Sequence, residues 1–381
     1  MIRVALFISG GEKGGSRYQV LKILEGLKER VSFTFFTFYD GMLKKDILNK
    51  GYKNYHFSKL FPFNEIKKIL IKEKFDLIHT YGFRGSLYGR VSSKKLDIPV
   101  ISTYTGFMKD DYNNKIKGAI FEKIDNITLN IPKVVIVSSK VMSDYILKRG
   151  YKKDVRIIHL GIDINFEFYD RSDFGLNEDD FVIGSVLRFE KVKNPLFLID
   201  VFNEVSKKEK KAKLVLVGDG SLRKEIERKI KEYKIVDKVL LLGFRDDVKK
   251  IYKIFDLFVL TSIKEGFSLS TLEAMSSSLP VVVSDSGGVR EMVEDGVNGF
   301  IIKNFNKFEF ADKILFFKDK NKKQEIGKLN RIKVLENFEV KKMCDETFDL
   351  YCEVVKWKKF FLYHFFLHQL EVEEEKESQN Y

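Results

Sequence analysis

Residues 261–302 read TSIKEGFSLSTLEAMSSSLPVVVSDSGGVREMVEDGVNGFII. The stretch follows an apolar run, LFVL (257–260), that has the form of a buried parallel strand. It turns through Glu265-Gly266-Phe267-Ser268 and enters a helix, for which Ser268 or Ser270 is the expected N-cap. A second apolar strand, PVVVS (280–284), comes next, and Ser286-Gly287-Gly288 opens another short helix. Strand, helix and strand joined by short turns make the unit of a doubly wound parallel sheet. Glu265 lies just before the first helix and Glu273 about a turn and a half inside it. Both can address one ligand lying across the helix N-terminus, where free N–H groups and the positive dipole end suit a phosphate. Two solvated glutamates that merely complement the dipole would look the same in isolation.

The context around them is more specific. Glu-Gly-Phe (265–267), Leu-Glu-Ala-Met (272–275), Pro-Val-Val (280–282), Ser-Gly-Gly (286–288) and Asn-Gly-Phe (298–300) resemble the donor-binding signature of glycosyltransferase family 4. The hallmark of that family is this E-x7-E pair. The resemblance implies an α/β chain of GT-B fold, with two Rossmann-like doubly wound domains facing a central cleft. It divides the chain into an acceptor-binding domain (1–165) and a nucleotide-sugar-binding domain (166–345). A C-terminal helix (346–370) is expected to pack back on the first domain or on membrane, and the acidic tail (371–381) to be disordered.

Residue by residue, the resemblance assigns Glu265, Arg188 and Lys193 to catalysis. Arg188 and Lys193, in the loop after FVIGSVL (181–187), would face the donor's diphosphate, although two loop cations are by default just solvated. Leu187 stands where the family usually has glycine. Glu273 would bind the ribose and Glu265 the transferred sugar, with the backbone of Phe267, Ser268 and Leu269 on the phosphates. The nucleotide base would lie against Gly243-Phe244-Arg245. Gly14 and Gly15, in the turn after IRVALFI (2–8), match the family's first loop. On the acceptor side the family carries a histidine directly before the glycine that matches Gly106; this chain has Thr105 there. Thr105 and His79, at the end of the strand FDLIHT (75–80), are the acceptor-side candidates, and a hydrogen-bonded structural role is the commoner one for a strand-end histidine. The polar stretch 170–180 reads as an interdomain linker. Asp246-Asp247 resembles a metal-binding pair but reads better as helix N-terminal acids, because the next run is helical, and Asp110-Asp111 makes no better a metal site. No metal and no cofactor are expected beyond the nucleotide diphosphate sugar itself.

Composition narrows the rest. A chain of 381 residues fits two domains of roughly 150–200 residues each. Its 44% hydrophobic and 32% charged residues are those of a globular protein. No apolar run approaches the ~18 residues of a spanning helix, and the N-terminal apolar run is a strand rather than a signal peptide. Cys344 and Cys352 lack metal-ligand companions, which points to a reduced cytoplasmic compartment. The net charge of +13 comes without a nucleic-acid-binding signature. Two readings of it remain: lysine-rich solvation, or attraction to an anionic membrane on its inner face through the lysines between 44 and 74 and the aromatic segment Trp357–Leu370.

The expected function is a retaining glycosyltransferase that moves a sugar from a UDP- or GDP-type donor to a hydroxyl on a glycan or lipid-linked acceptor. A nucleotide-sugar epimerase or a phosphorylase shares the fold. A nicotinamide-dependent oxidoreductase is disfavoured by the missing dinucleotide fingerprint, and a catalytically dead scaffold by the presence of both glutamates and both cations.

Overall fold

The computed structural model describes residues 1–12, 14–109, 115–164 and 168–356. Two compact units emerge: residues 1–158 joined by the stretch from Met343 onward, and residues 159–342. Each is a parallel sheet wound by helices.

The first unit runs β1 (Ile2–Ile8), α1 (Gly14–Leu27), β2 (Val31–Thr37), α2 (Met42–Asn49) and β3 (Lys53–His56). It continues with α3 (Phe63–Glu73), β4 (Leu77–Tyr81), α4 (Gly82–Ser93), β5 (Val100–Tyr104) and α5 (Lys115–Thr128), then β6 (Val134–Val137), α6 (Lys140–Lys148) and β7 (Asp154–Ile157). The strand order is β3-β2-β1-β4-β5-β6-β7. Strands β4 and β5 are buried at every position, as a sheet covered on both faces requires. Register pairs Phe7 with Phe36, and their rings stack with centroids 4.3 Å apart. Such a pair contributes roughly 0.5–1.5 kcal/mol beyond its area burial.

The sheet order separates the lysines that sequence reading grouped between residues 44 and 74. From β1 to β3 the chain steps one way along the sheet; from β3 to β6 it steps the other way. Right-handed crossovers then place α2 on one face and α3 to α5 on the opposite one. The expected single cluster is therefore two groups, and Lys44 and Lys53 are taken up by Asp40 and Glu73.

The second unit comprises β8 (Phe181–Val186), α7 (Pro195–Lys208), β9 (Ala212–Val217), α8 (Arg223–Glu232) and β10 (Val239–Gly243). Beyond these lie β11 (Leu257–Leu260), α9 (Leu269–Ser276), β12 (Val281–Ser284), β13 (Phe300–Ile302), α10 (Lys307–Phe316) and α11 (Lys320–Asn337). Its strands order as β10-β9-β8-β11-β12-β13, all parallel. In such sheets ligands sit beyond the carboxyl ends of the strands, where the loops after β8, β10, β11 and β12 lie.

The chain enters this unit at His159 rather than at 166. The backbone of Ile162 explains the difference, since it bonds Phe338 O at 2.8 Å and receives Val340 N at 3.3 Å. The stretch 170–180 is not a free linker either. Arg171 ties it down through Asp256 at 2.9 Å and three backbone carbonyls of the same unit.

Candidate active site

In the second unit the loop between β8 and α7 meets the loop between β11 and α9. Lys193 Nζ donates to Glu265 Oε1 at 2.6 Å, and the Ser262 hydroxyl donates to the same oxygen at 2.6 Å. Oε2 has no hydrogen bond among the described residues. Glu265 is buried, so a cation beside it is what makes its charge tolerable there. The Glu265 backbone is clamped as well: its N–H bonds Ser286 O at 2.7 Å, and Gly288 N–H bonds its carbonyl at 3.1 Å. A Cβ on Gly288 would lie 2.0 Å from Gly266 O, so the two loops approach closely only because that residue is glycine. Arg188 is exposed and makes no ion pair or side-chain hydrogen bond among the described residues.

Ser268 is the N-cap of α9; its hydroxyl accepts from Thr271 N–H at 3.3 Å. The earlier first-turn N–H groups, around Phe267 to Leu269, are left facing out of the helix end. Glu273 sits in the second turn, buried, with Oε2 accepting from the Tyr252 hydroxyl at 2.7 Å. Burial pushes its carboxyl above the ordinary value, partly offset by that hydroxyl and by the Lys249 charge. Tyr252 and Ser262 were missed in the sequence, because a tyrosine in KIYKIFDL and a serine after a strand carry no pattern of their own. Ser286 reads in the sequence only as a turn residue; its hydroxyl is buried and has no hydrogen-bond partner among the described residues.

At the end of β10, Phe244 is 60% exposed. The Arg245 fork is already occupied: Nε and Nη2 hold Asp247 at 2.7 and 2.6 Å. Those bonds, and the Tyr169 hydroxyl, hold the Asp247 carboxyl well below the usual carboxylate range. Beside that occupied fork the Phe244 ring stays exposed.

In the first unit, Gly14 and Gly15 open α1, and a Cβ built on either meets nothing within 4 Å. Packing therefore does not demand these two glycines. The loop's shape depends on the positive φ of Gly10 and Gly14, +102° and +61°, and on the Glu12 carboxylate, which accepts from Ser9 N–H and Gly10 N–H at 2.9 and 2.7 Å. Thr105 bonds Ser16, one residue along from Gly15, at 2.8 Å. His79 lies elsewhere and corrects the acceptor-side expectation. It is fully buried, one ring nitrogen bonds the Tyr351 hydroxyl at 2.6 Å, and the other bonds Thr103 at 2.7 Å. Burial pushes its pKa down to about 3, so the ring stays neutral and structural. Among the described residues no three His, Cys, Asp or Glu side chains gather as a metal ion would require. Asp110, Asp111 and the segment Trp357–Leu370 lie outside those residues.

Two family models match in tandem: "Glycosyltransferase Family 4" over residues 13–166 and "Glycosyl transferases group 1" over 167–332. An uncharacterised glycosyltransferase of Methanocaldococcus jannaschii is 30% identical over 253 residues, 65% of this chain and 67% of that protein. The chain is a family 4 glycosyltransferase. Escherichia coli UDP-Gal:alpha-D-GlcNAc-diphosphoundecaprenol alpha-1,3-galactosyltransferase is 27% identical to it over 301 residues, covering 76% of this chain and 78% of that one. Among solved structures, Anabaena HepE in complex with UDP-glucose superposes with a TM-score of 0.82 at 21% identity, over 93% of this chain and 100% of that one. Sucrose-phosphate synthase of Thermosynechococcus elongatus gives 0.79 at 19% identity, over 93% and 99%. The GT-B fold of this glycosyltransferase is thereby established.

Proposed function

We propose that this enzyme transfers a sugar, with retention of anomeric configuration, from a UDP-sugar to a hydroxyl of a lipid-linked saccharide at the inner face of the cell membrane, in cell-surface polysaccharide synthesis. The observation that carries the reading is the Lys193–Glu265 pair beside the free end of α9. As the donor's C1–O bond breaks, negative charge grows on the β-phosphate oxygen. Lys193, Arg188 and the first-turn N–H groups of α9 supply fixed positive partners for it, and each such donor typically contributes ~3 kcal/mol to a transition state. The acceptor oxygen bonds C1 on the same face, and its proton passes to the departing phosphate oxygen. Glu265 binds the transferred sugar's hydroxyls through its open Oε2, and Glu273 binds the ribose through Oε1. On this reading Phe244 lies against the base, Gly14 and Gly15 admit the donor to the backbone, and Thr105 lines the acceptor side.

The Escherichia coli relative supports both the UDP donor and the lipid diphosphate acceptor, and its name describes an α-linkage made from UDP-Gal. The reaction is read as needing no metal. The test is a panel of UDP- and GDP-sugars, each with undecaprenyl diphosphate-linked N-acetylglucosamine, in buffer containing EDTA. Transfer from a UDP-sugar supports the reading. Transfer that EDTA abolishes, or a product formed without acceptor, overturns it, the latter in favour of an epimerase.

A further inference from the structure

Helix α5 carries its acids inward and three of its four isoleucines outward. Asp125 is fully buried and is held by Arg90 at 2.9 Å, by the Tyr104 hydroxyl at 2.5 Å and by Arg149 at 2.6 Å. Glu122, also buried, accepts from the Tyr145 hydroxyl at 2.7 Å and pairs with Lys109 at 2.8 Å. These partners fix the roll of the helix, because turning it would strand two carboxylates. The outer side then presents Ile116, Ile120 and Ile127, which are 74%, 53% and 79% exposed. A helix packed on a sheet ordinarily has the opposite arrangement.

The neighbouring helices extend this surface. Helix α4 packs between α3 and α5 on one sheet face. The outer sides and ends of the three hold Lys68, Lys72, Lys74, Lys94, Lys95 and Lys123, all exposed and none ion-paired among the described residues. The exposed acids there are Glu65 and Asp97. Ile71 is 57% exposed, and the exposed pair Leu60-Phe61 is pinned to α4 by the Tyr88 hydroxyl on Leu60 O at 3.1 Å.

We infer that the α3–α5 face is the surface by which this enzyme rests on an anionic bilayer. Lysines without counter-charges match acidic headgroups, and separated isoleucines between them can enter the acyl boundary one by one. A second copy of the chain is disfavoured, since a two-fold contact would press one basic face against another. The inference deepens the membrane part of the proposed function and rests on its lipid-linked acceptor.

The experiment is co-sedimentation of the full chain with phosphatidylcholine vesicles, with and without phosphatidylglycerol, at low and high salt. Three variants accompany the wild type, and their thermal unfolding verifies that each is folded. Ile116/Ile120/Ile127→Ser and Lys68/Lys72/Lys123→Glu alter the face, and Lys210/Lys224/Lys231→Glu makes the same charge change on the second unit. The wild type should bind vesicles containing phosphatidylglycerol at low salt, both face variants should lose about tenfold or more in affinity, and the control should bind like wild type. Absence of wild-type binding, an equal loss in the control, undiminished binding by the face variants, or an isoleucine variant that instead dissociates a dimer would each overturn the inference. Transfer to detergent-solubilised acceptor reads the proposed function separately: transfer without vesicle binding sinks only the docking face, and binding without transfer sinks only the reaction.

Discussion

Arg188 and Lys193 share one expected role, yet their surroundings differ, and the difference makes them separable. Arg188 is exposed and has no ion pair among the described residues, so Arg188→Ala should keep wild-type thermal stability while turnover falls about 100-fold through lost leaving-group stabilisation. Lys193→Ala should lose turnover similarly and also destabilise, by about 1–3 kcal/mol, because buried Glu265 keeps only Ser262. Steady-state kinetics with urea melts distinguish the two, and wild-type turnover in either variant would remove it from the mechanism. Glu273 and Tyr252 form the second pair. Burial raises the Glu273 carboxyl in the folded state, so folding takes up a proton in a window above the ordinary carboxylate value. The stability contributed by that proton is present at low pH and is lost as pH rises through the window. Glu273→Gln should flatten this pH dependence, whereas Tyr252→Phe, which removes a bond to the charged form, should steepen it. Calorimetric titration with UDP should also show Tyr252→Phe losing affinity on acidification at a higher pH than wild type. Identical pH profiles for the two proteins would mean that Tyr252 does not position Glu273.

At the scale of the element, the turn from β1 into α1 offers a test free of packing effects. A methyl on Gly15 meets nothing, and alanine is the better helix former by roughly 0.5–1 kcal/mol. Gly15→Ala should therefore match or exceed wild type in thermal stability yet lose about tenfold or more in turnover, if donor phosphate approaches that helix end. Full activity would place the donor elsewhere. The same elements explain what the sequence could reveal. The strand–turn–helix of 257–276 was readable because an apolar run, a glycine turn and a capping serine are local signals, and Ser268 is indeed the cap. Strand β3 was hidden in a lysine-rich stretch, because KNYH at the edge of the sheet is only half buried. His79 was ambiguous because its decisive partner, Tyr351, is 272 residues away. Tyr252 gave no signal for the same reason: its contact with Glu273 depends on the tertiary fold.

For the whole molecule, alternating strands and helices gave the doubly wound sheets, and chain length with the family resemblance gave the two-unit plan, but the boundaries and charged surfaces did not follow from either. Sequence proximity joined lysines that the crossover direction assigns to opposite faces of one sheet. The central claim about the molecule is that it moves a glycosyl group with retention and without a metal, and this has one direct measurement. The purified chain is incubated with a UDP-sugar carbon-13 labelled at C1, a lipid diphosphate-linked acceptor and EDTA, and the new anomeric centre is read by NMR coupling. An α-linked product from the α-linked donor is the predicted result, and a β-linked product, or no transfer from any UDP-sugar, would contradict the account.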